Sequence, residues 1–203
     1  MLHTETLDSK TLELLKRIQA LPFLRQMRLV GGTGLALQLG HRISVDLDLF
    51  GQWSPAELLA DELKKCGTVI RNGAQEKLQF FQINGVKVDC VMYEYPWLDP
   101  AIEEDGLRLA SISDIAAMKI NAITNRGSRK DFVDLFFIMK SHSLKEILTW
   151  FLAKYGDVNP AMAIRSLTYF VDAELQPMPK MLAPLDWEGV KQTIKRQVQA
   201  FCR

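Results

Sequence analysis

The apolar positions of this chain change their period near its middle. Up to about residue 95 they alternate or cluster in short runs, and after residue 110 they recur every three to four residues. In the first half, Leu12, Leu15 and Ile18, with Leu21 beyond them, form one stripe that predicts a helix over 9–20, ended by Pro22. Residues 27–31 read as a short strand running into Gly31-Gly32, 33–40 as a short helix and 43–50 as the next strand. Ser54-Pro55-Ala56-Glu57 has the serine, proline and glutamate of a capped helix start, which predicts a helix to about Lys65. Strands are predicted over 67–71, 77–83 and 86–93. The last two are joined by Asn84-Gly85, a strong two-residue hairpin signal.

Pro96 and Pro100 interrupt the pattern, and beyond residue 110 it is helical. Helices are predicted near 113–126, 129–140, 143–155, 160–172 and 186–202, with Gly127 and Gly156 as C-terminal caps and Asn159-Pro160 as a helix start. The chain therefore reads as α+β: a mixed sheet with flanking helices over 1–105, then a helical bundle over 106–203.

Composition narrows the chemistry. Of 203 residues, 48% are apolar and 24% charged, with a net charge of +1, so contact with a polyanion would need a local basic patch. Cys66, Cys90 and Cys202 are scattered, without a CxxC pair, and His3, His41 and His142 lie far apart. Neither a zinc site nor a disulfide framework is indicated. The opening MLHTETLDSK has no apolar core of a secretion signal, and no apolar run approaches the roughly 18 residues of a membrane span. These features predict a cytoplasmic location and no membrane partner.

The strand over 43–50 carries two carboxylates. Side chains alternate along a strand, so Asp46, Asp48 and Phe50 share one face, and Val45, Leu47 and Leu49 the other. The aspartates are then about 7 Å apart and point the same way, an arrangement suited to a hard divalent cation. The two-residue turn at 84–85 sets Ile83 opposite Val86, Phe81 opposite Val88 and Phe80 opposite Asp89. This leaves Asp89 with Lys87 and Val91 on the face away from the apolar set. In isolation an Asp-x-Asp strand is more often the solvent face of an edge strand, and pairing of 45–50 with 86–93 does not follow from one sequence.

Gly31-Gly32-Thr33-Gly34 lies between a strand and a helix, where glycine admits close approach of a ligand and the helix start offers N–H groups to an anion. Alone, it serves equally as a tight-packing turn. Together, GGTGLALQLGHRISVDLDLF resembles motif I of the nucleotidyltransferase superfamily, the DNA-polymerase-β-like fold, and is most similar to the AbiEii/AbiGii abortive-infection toxin branch, which includes type IV toxin–antitoxin toxins. Downstream, SISDIAAMKINAITNRGSRKDFVDLFFI resembles the helical motif of the same family. The resemblance covers residues 27–140.

The resemblance implies that Asp46 and Asp48 bind Mg²⁺ or Mn²⁺ with the phosphates of an NTP substrate. Asp89 would complete the site as general base or second-metal ligand. Gly32 and Thr33 would hold the β and γ phosphates by backbone N–H and hydroxyl. Lys119 and Arg126, seven apart on one helix, would line a groove, with Lys119 on the triphosphate. Asp131 would orient Lys119 or the nucleotide, and Asp134 would be its neighbour or a structural ion-pair partner. Arg129 and Lys130 fit phosphate or RNA, or equally a solvated basic face. Arg42 fits phosphate or acceptor, while His41 fits a structural role. Tyr93, Tyr95, Trp97 and Phe80 fit base stacking or, more simply, core.

The expected activity is transfer of NMP from an NTP to an acceptor, which the resemblance implies is RNA, a tRNA end being one candidate, with growth arrest checked by an antitoxin. Two alternatives keep the fold: transfer to a small molecule of aminoglycoside type or to a protein hydroxyl, and a non-catalytic nucleotide-binding module. The intact Asp46, Asp48 and Asp89 argue against the last.

Overall fold

In the computed structural model, residues 1–75, 77–156 and 158–202 are described. The chain divides into two compact units. One comprises Met1–Glu94 and Pro100–Ala110, the other Tyr95–Asp99 and Ser111–Arg203.

The first unit is built on a mixed sheet. Helix α1 (Ser9–Gln19) starts where Asp8 accepts the Thr11 amide, and it buries Leu14, Leu15 and Ile18 along one stripe. Then come β1 (Arg28–Leu29), α2 (Gly31–Leu39), β2 (Leu47–Gly51), α3 (Leu59–Lys64), β3 (Val69–Ala74), β4 (Leu78–Ile83), β5 (Val86–Met92), β6 (Ile102–Glu104) and β7 (Leu107–Leu109). Among the described residues the strands form one sheet in the order β3-β4-β5-β2-β1-β7-β6. The Asn84-Gly85 hairpin has the expected register, Ile83 opposite Val86, Phe81 opposite Val88 and Phe80 opposite Asp89. Its apolar face, with Phe81, Ile83, Val88 and Cys90 fully buried, joins Leu47, Leu49, Leu29, Leu109 and the α1 stripe in one core. Each such side chain contributes about 1.5–3 kcal/mol.

Three local expectations give way. The helix expected from Ser54 begins as a 3-10 turn at Ala56, with α3 starting only at Leu59. Extended Pro55 occupies the cap position and no side chain caps the turn, so Ser54 lies one residue outside. The stretch after Pro100, expected as a break, holds the β6–β7 hairpin, which turns on Asp105-Gly106, both at positive φ. Helix α2 begins at Gly31, two residues earlier than expected.

The second unit is helical: α4 (Ile112–Asn125), α5 (Arg129–Ile138), α6 (Leu144–Tyr155), α7 (Pro160–Ser166), α8 (Val171–Glu174) and α9 (Trp187–Phe201). Helix α4 packs against α5, α6 and α7, and α9 against α5 and α6. The buried Val190, Ile194 and Val198 of α9 fall on one stripe. Ser111 caps α4, and Ser143 with Glu146 forms a full capping box on α6. The helix expected over 160–172 is two. Ser166 and Thr168 donate their hydroxyls back to the carbonyls of Met162 and Arg165, which competes with helix propagation at that point. Segment 95–99 is tied into this unit by Asp114, which accepts the Leu98 amide at 2.9 Å, and by Lys154, which donates to the Pro96 carbonyl at 2.8 Å.

Candidate active site

The pairing that a single sequence cannot supply is the one that organises the carboxylates. Strand β2 runs parallel to β5, with Asp48 directly opposite Asp89. Adjacent strands lie about 4.8 Å apart, so two side chains at matched positions point the same way as close neighbours. Leu47 and Leu49 face the core at 0% exposure, which turns Asp48 to the opposite face. Asp46 lies one residue before β2, just outside the ladder.

Like charges this close repel unless a cation joins them. Lys87, two residues before Asp89 on the same face of β5, places its ammonium 2.8 Å from Asp89 Oδ2. The hydrogen bond it donates to Asp89 raises the Lys87 pKa above its ordinary value, and the charges of Asp89, Asp46 and Asp48 add to that rise, against the opposing effect of burial. All three carboxylates thus act on one ammonium. The second oxygen of Asp89, Oδ1, is buried and has no hydrogen-bond partner among the described residues. A buried carboxylate oxygen without a donor is costly, and a hard cation is a partner that suits it. Among the described residues, no three Asp, Glu, His or Cys side chains are drawn closely enough together to enclose an ion. The donor set thus suits a divalent cation in type, but as placed it does not enclose one, with Asp89 turned toward Lys87.

The glycine turn belongs to the same place. Gly31 has φ +65°, and a Cβ there would lie 2.2 Å from Asp48 Oδ2. The Val30 amide donates to the Asp48 carbonyl at 2.9 Å. Helix α2 has Val30 at its cap position with no side-chain hydrogen bond, so the glycine amides of its first turn lack the side-chain acceptor that usually meets them. Gly32 faces Arg42, whose Nη2 would lie 2.1 Å from an added Cβ. Arg42 is itself 4% exposed and donates to the Ile43 carbonyl, so it packs under the turn.

Thr33 departs from its expected role. It is 1% exposed, and its hydroxyl is hydrogen-bonded to Ser44 Oγ and the Asp46 carbonyl. The hydroxyl thus ties helix α2 to the residue that carries the first carboxylate and is not presented to a phosphate; only the backbone N–H of Thr33 keeps that role open.

In the helical unit, Lys119 is buried and lies between two fully buried carboxylates, 2.9 Å from Asp131 and 2.6 Å from Asp134. It is not the open cation expected along a groove. Asp131 also accepts from Ser128 Oγ and from Arg126 Nε at 3.1 Å. Burial would push the Asp131 carboxyl up, but Lys119, Arg126 and Ser128 together outweigh it and hold the pKa at about 2. Arg126, with 62% of its side chain exposed, is the member of this cluster that reaches solvent. It borders a cleft of about 560 Å³ that Asn125, Arg165 and Tyr169 also line. Arg129 serves the fold: it donates to the Ala173 and Glu174 carbonyls and stacks over Trp187. Of the aromatic candidates, Tyr93 packs on Phe50 and Trp97 lies against Lys154.

Lys87 is the residue whose part here sequence reading missed. Its place two before Asp89 put it on the right face, but nothing in the sequence tied it to Asp46 and Asp48.

The family model described as nucleotidyl transferase AbiEii toxin, type IV TA system, matches residues 13–202. The Aquifex aeolicus (strain VF5) protein aq_aa25 is 33% identical over 196 residues, covering 93% of this chain and 94% of that one. Among solved structures, MenT4, nucleotidyltransferase toxin Rv2826c from Mycobacterium tuberculosis H37Rv, superposes with a TM-score of 0.60 at 15% identity, over 95% of this chain and 86% of its own. JHP933 from Helicobacter pylori gives a TM-score of 0.59 at 17% identity, over 96% and 92%. At these identities the structural matches speak for the fold.

Proposed function

This chain belongs to the AbiEii nucleotidyltransferase toxin family, and from that premise we propose that it transfers an NMP from an NTP to an RNA acceptor, with a tRNA end as the favoured target. The observation that carries the reading is the meeting of Gly31, Asp48 and Asp89: a turn whose missing Cβ admits the Asp48 carboxylate, on a strand paired with that of Asp89.

Asp46 and Asp48 would hold Mg²⁺ or Mn²⁺ together with the phosphates, and Asp89 would complete the set. When bound, the metal supplies charge neutralisation at the attacking and leaving oxygens. The rest falls to the chain. Asp89 accepts the proton of the acceptor hydroxyl as its oxygen bonds to the α-phosphorus. The bond from that phosphorus to the bridging oxygen breaks, and pyrophosphate leaves. The amides of Gly31, Gly32 and Thr33, at the positive end of α2, receive the terminal phosphates. By the family resemblance Arg126 and Lys119 would serve the triphosphate, and within the helical unit Asp131 and Asp134 hold Lys119 in place. Positioning and electrostatics dominate such transfers, which suits a site made of fixed charges.

In its biological setting the protein acts as the toxin of a type IV pair, with an antitoxin as its genetic partner. Among the described residues no helix is long and apolar enough to cross a membrane, and we place the protein in the cytoplasm.

The test incubates the protein with each labelled NTP, Mg²⁺ or Mn²⁺, and total cellular RNA. Labelled RNA that disappears with the Asp46→Ala, Asp48→Ala double variant is the expected result. Nucleotide binding without label in any fraction would overturn the reading, and label on a small molecule or protein would replace the acceptor.

A further inference from the structure

We propose that the cleft between the end of α4 and the outer side of α7 binds an unpaired nucleotide of the RNA acceptor, with Tyr169 stacking on its base and Arg165 meeting its phosphate. The assignment rests on RNA as the acceptor class, argued above, and lies wholly within the helical unit.

The cleft has a volume of about 560 Å³, inside the range of about 300–1,000 Å³ that small-ligand sites occupy. One wall is the end of α4, with Asn125 and Arg126, and the other is α7 with the turn that follows it. Over 162–170 the chain sorts its residues by side. Ala163, Leu167 and Phe170 are buried, while Met162, Arg165 and Tyr169 recur at the same three-to-four spacing and line the cleft. Met162 is 63% exposed and Tyr169 55%. Large apolar side chains that share a concave surface and stay in water mark a binding surface. An aromatic ring presented there is a stacking platform that any base accepts.

The polar lining fits the same ligand. Arg126 and Arg165 face the cleft, and Asp172 is the one acid among its described residues. With a net charge of only +1 over the chain, a local pair of this kind is what contact with a polyanion requires. Arg126 is already given to the triphosphate, so the new phosphate contact falls to Arg165, an exposed residue of α7. Two amides complete the set. Asn125 donates its NH₂ to the Asn121 carbonyl at 2.8 Å, which leaves its oxygen as the acceptor it can offer. Asn159 accepts the Ala161 amide at 3.0 Å, which leaves its NH₂ as the donor. Bases of unpaired RNA are recognised by this combination, stacking on one face and hydrogen bonds along an exposed edge. An apolar cleft alone would suit a protein side chain; guanidinium, ring and amides together favour a nucleotide.

The experiment measures fluorescence anisotropy of a labelled, unstructured single-stranded RNA with the full chain, without NTP or divalent ion, over a range of KCl and beside thermal melts. Tyr169→Ala should weaken binding about tenfold, and Tyr169→Phe should restore it. Arg165→Gln should weaken binding and flatten the slope of log affinity against log salt by about 0.7, the share of one phosphate on a single strand. Arg196→Gln, at an exposed position of α9 outside the cleft, is the control and should keep the wild-type affinity. In the transfer assay Tyr169→Ala should raise KM for RNA and leave KM for the NTP unchanged. Wild-type affinity and salt slope in both Tyr169→Ala and Arg165→Gln would overturn the proposal, as would an equal loss in Arg196→Gln. Loss of a co-expressed antitoxin from Tyr169→Ala with RNA binding intact would assign the cleft to a protein and overturn it too. Wild type that binds RNA through the cleft yet labels none would refute the transfer reading alone. Wild type that labels RNA while the cleft variants bind and react unimpaired would refute this proposal alone.

Discussion

Lys154 and Asp114 form an ion pair at 2.6 Å in which neither side chain keeps any exposed surface. The same Asp114 accepts the Leu98 amide, and the same Lys154 donates to Pro96 and lies 4.8 Å from the Trp97 ring. Breaking a buried pair strands the remaining charge, at a cost of about 3–5 kcal/mol. Lys154→Met should therefore lower the unfolding free energy measured in urea by that amount. Lys154→Met combined with Asp114→Leu should recover only part of it, because the Leu98 amide is left without its acceptor. A single variant as stable as wild type would mean that packing alone orders segment 95–99.

A second expectation concerns acid. Asp131 is held at about 2, below its ordinary 3.8. A carboxyl whose folded value is depressed contributes stability that is complete above its unfolded value and is lost as pH falls toward the folded one. Asp131 should thus supply about 2 kcal/mol at neutral pH, fading between about pH 4 and pH 2. Stability measured across that window should fall more steeply in wild type than in Asp131→Asn; parallel profiles would refute the coupling to Lys119 and Arg126.

The glycine turn yields a contrast between neighbours. At Gly31, an added methyl would meet Asp48 Oδ2 at 2.2 Å with the backbone at positive φ. At Gly32 it would meet the Arg42 guanidinium, not a carboxylate. Gly31→Ala should lower NMP transfer by about 100-fold, the scale of a 1 Å misplacement of a reacting group, and Gly32→Ala by far less. Equal losses in kcat/KM would show that the turn acts as a phosphate cradle alone, without the Asp48 contact.

Thr33 separates anchoring from phosphate binding. Thr33→Val removes the buried hydroxyl that bonds the Asp46 carbonyl and Ser44 Oγ, so stability should drop by about 1–3 kcal/mol. Thr33→Ser should keep most of it. A rise in KM for the NTP with no change in melting temperature would restore the hydroxyl to the phosphate.

These contrasts reflect how locally a sequence encodes its structure. Asn84-Gly85 fixes a turn, and the turn fixes which face Asp89 takes, so that residue was legible before any fold was known. Asp48 was legible for the same reason, by alternation with Leu47 and Leu49. Their adjacency was not, because parallel pairing of β2 with β5 joins stretches separated by α3, β3 and β4 and leaves no mark at either strand. The Asp105-Gly106 turn offered a hairpin signal as good as the first, but its strands are three residues each and carry Glu103, Glu104 and Arg108, too short and too charged to show a period. Lys119 misled in another way: a lysine on a helix reads as a solvent-facing cation, and only the arrival of α5 shows that Asp131 and Asp134 enclose it.

The path of the chain has a practical corollary. Residues 95–99 belong to the helical unit, while 100–110 return to complete the sheet before the chain leaves again. No single cut therefore divides the protein into its two halves. A fragment stopped at Glu94 forfeits β6 and β7 and strips β1 of one of its two neighbours, and one begun at Ser111 abandons the stretch that satisfies Asp114 and Lys154. Anyone wishing to study either half alone would have to rejoin 94 to 100 with a new linker, and a protease nick inside 95–110 should inactivate the whole without releasing a tidy piece.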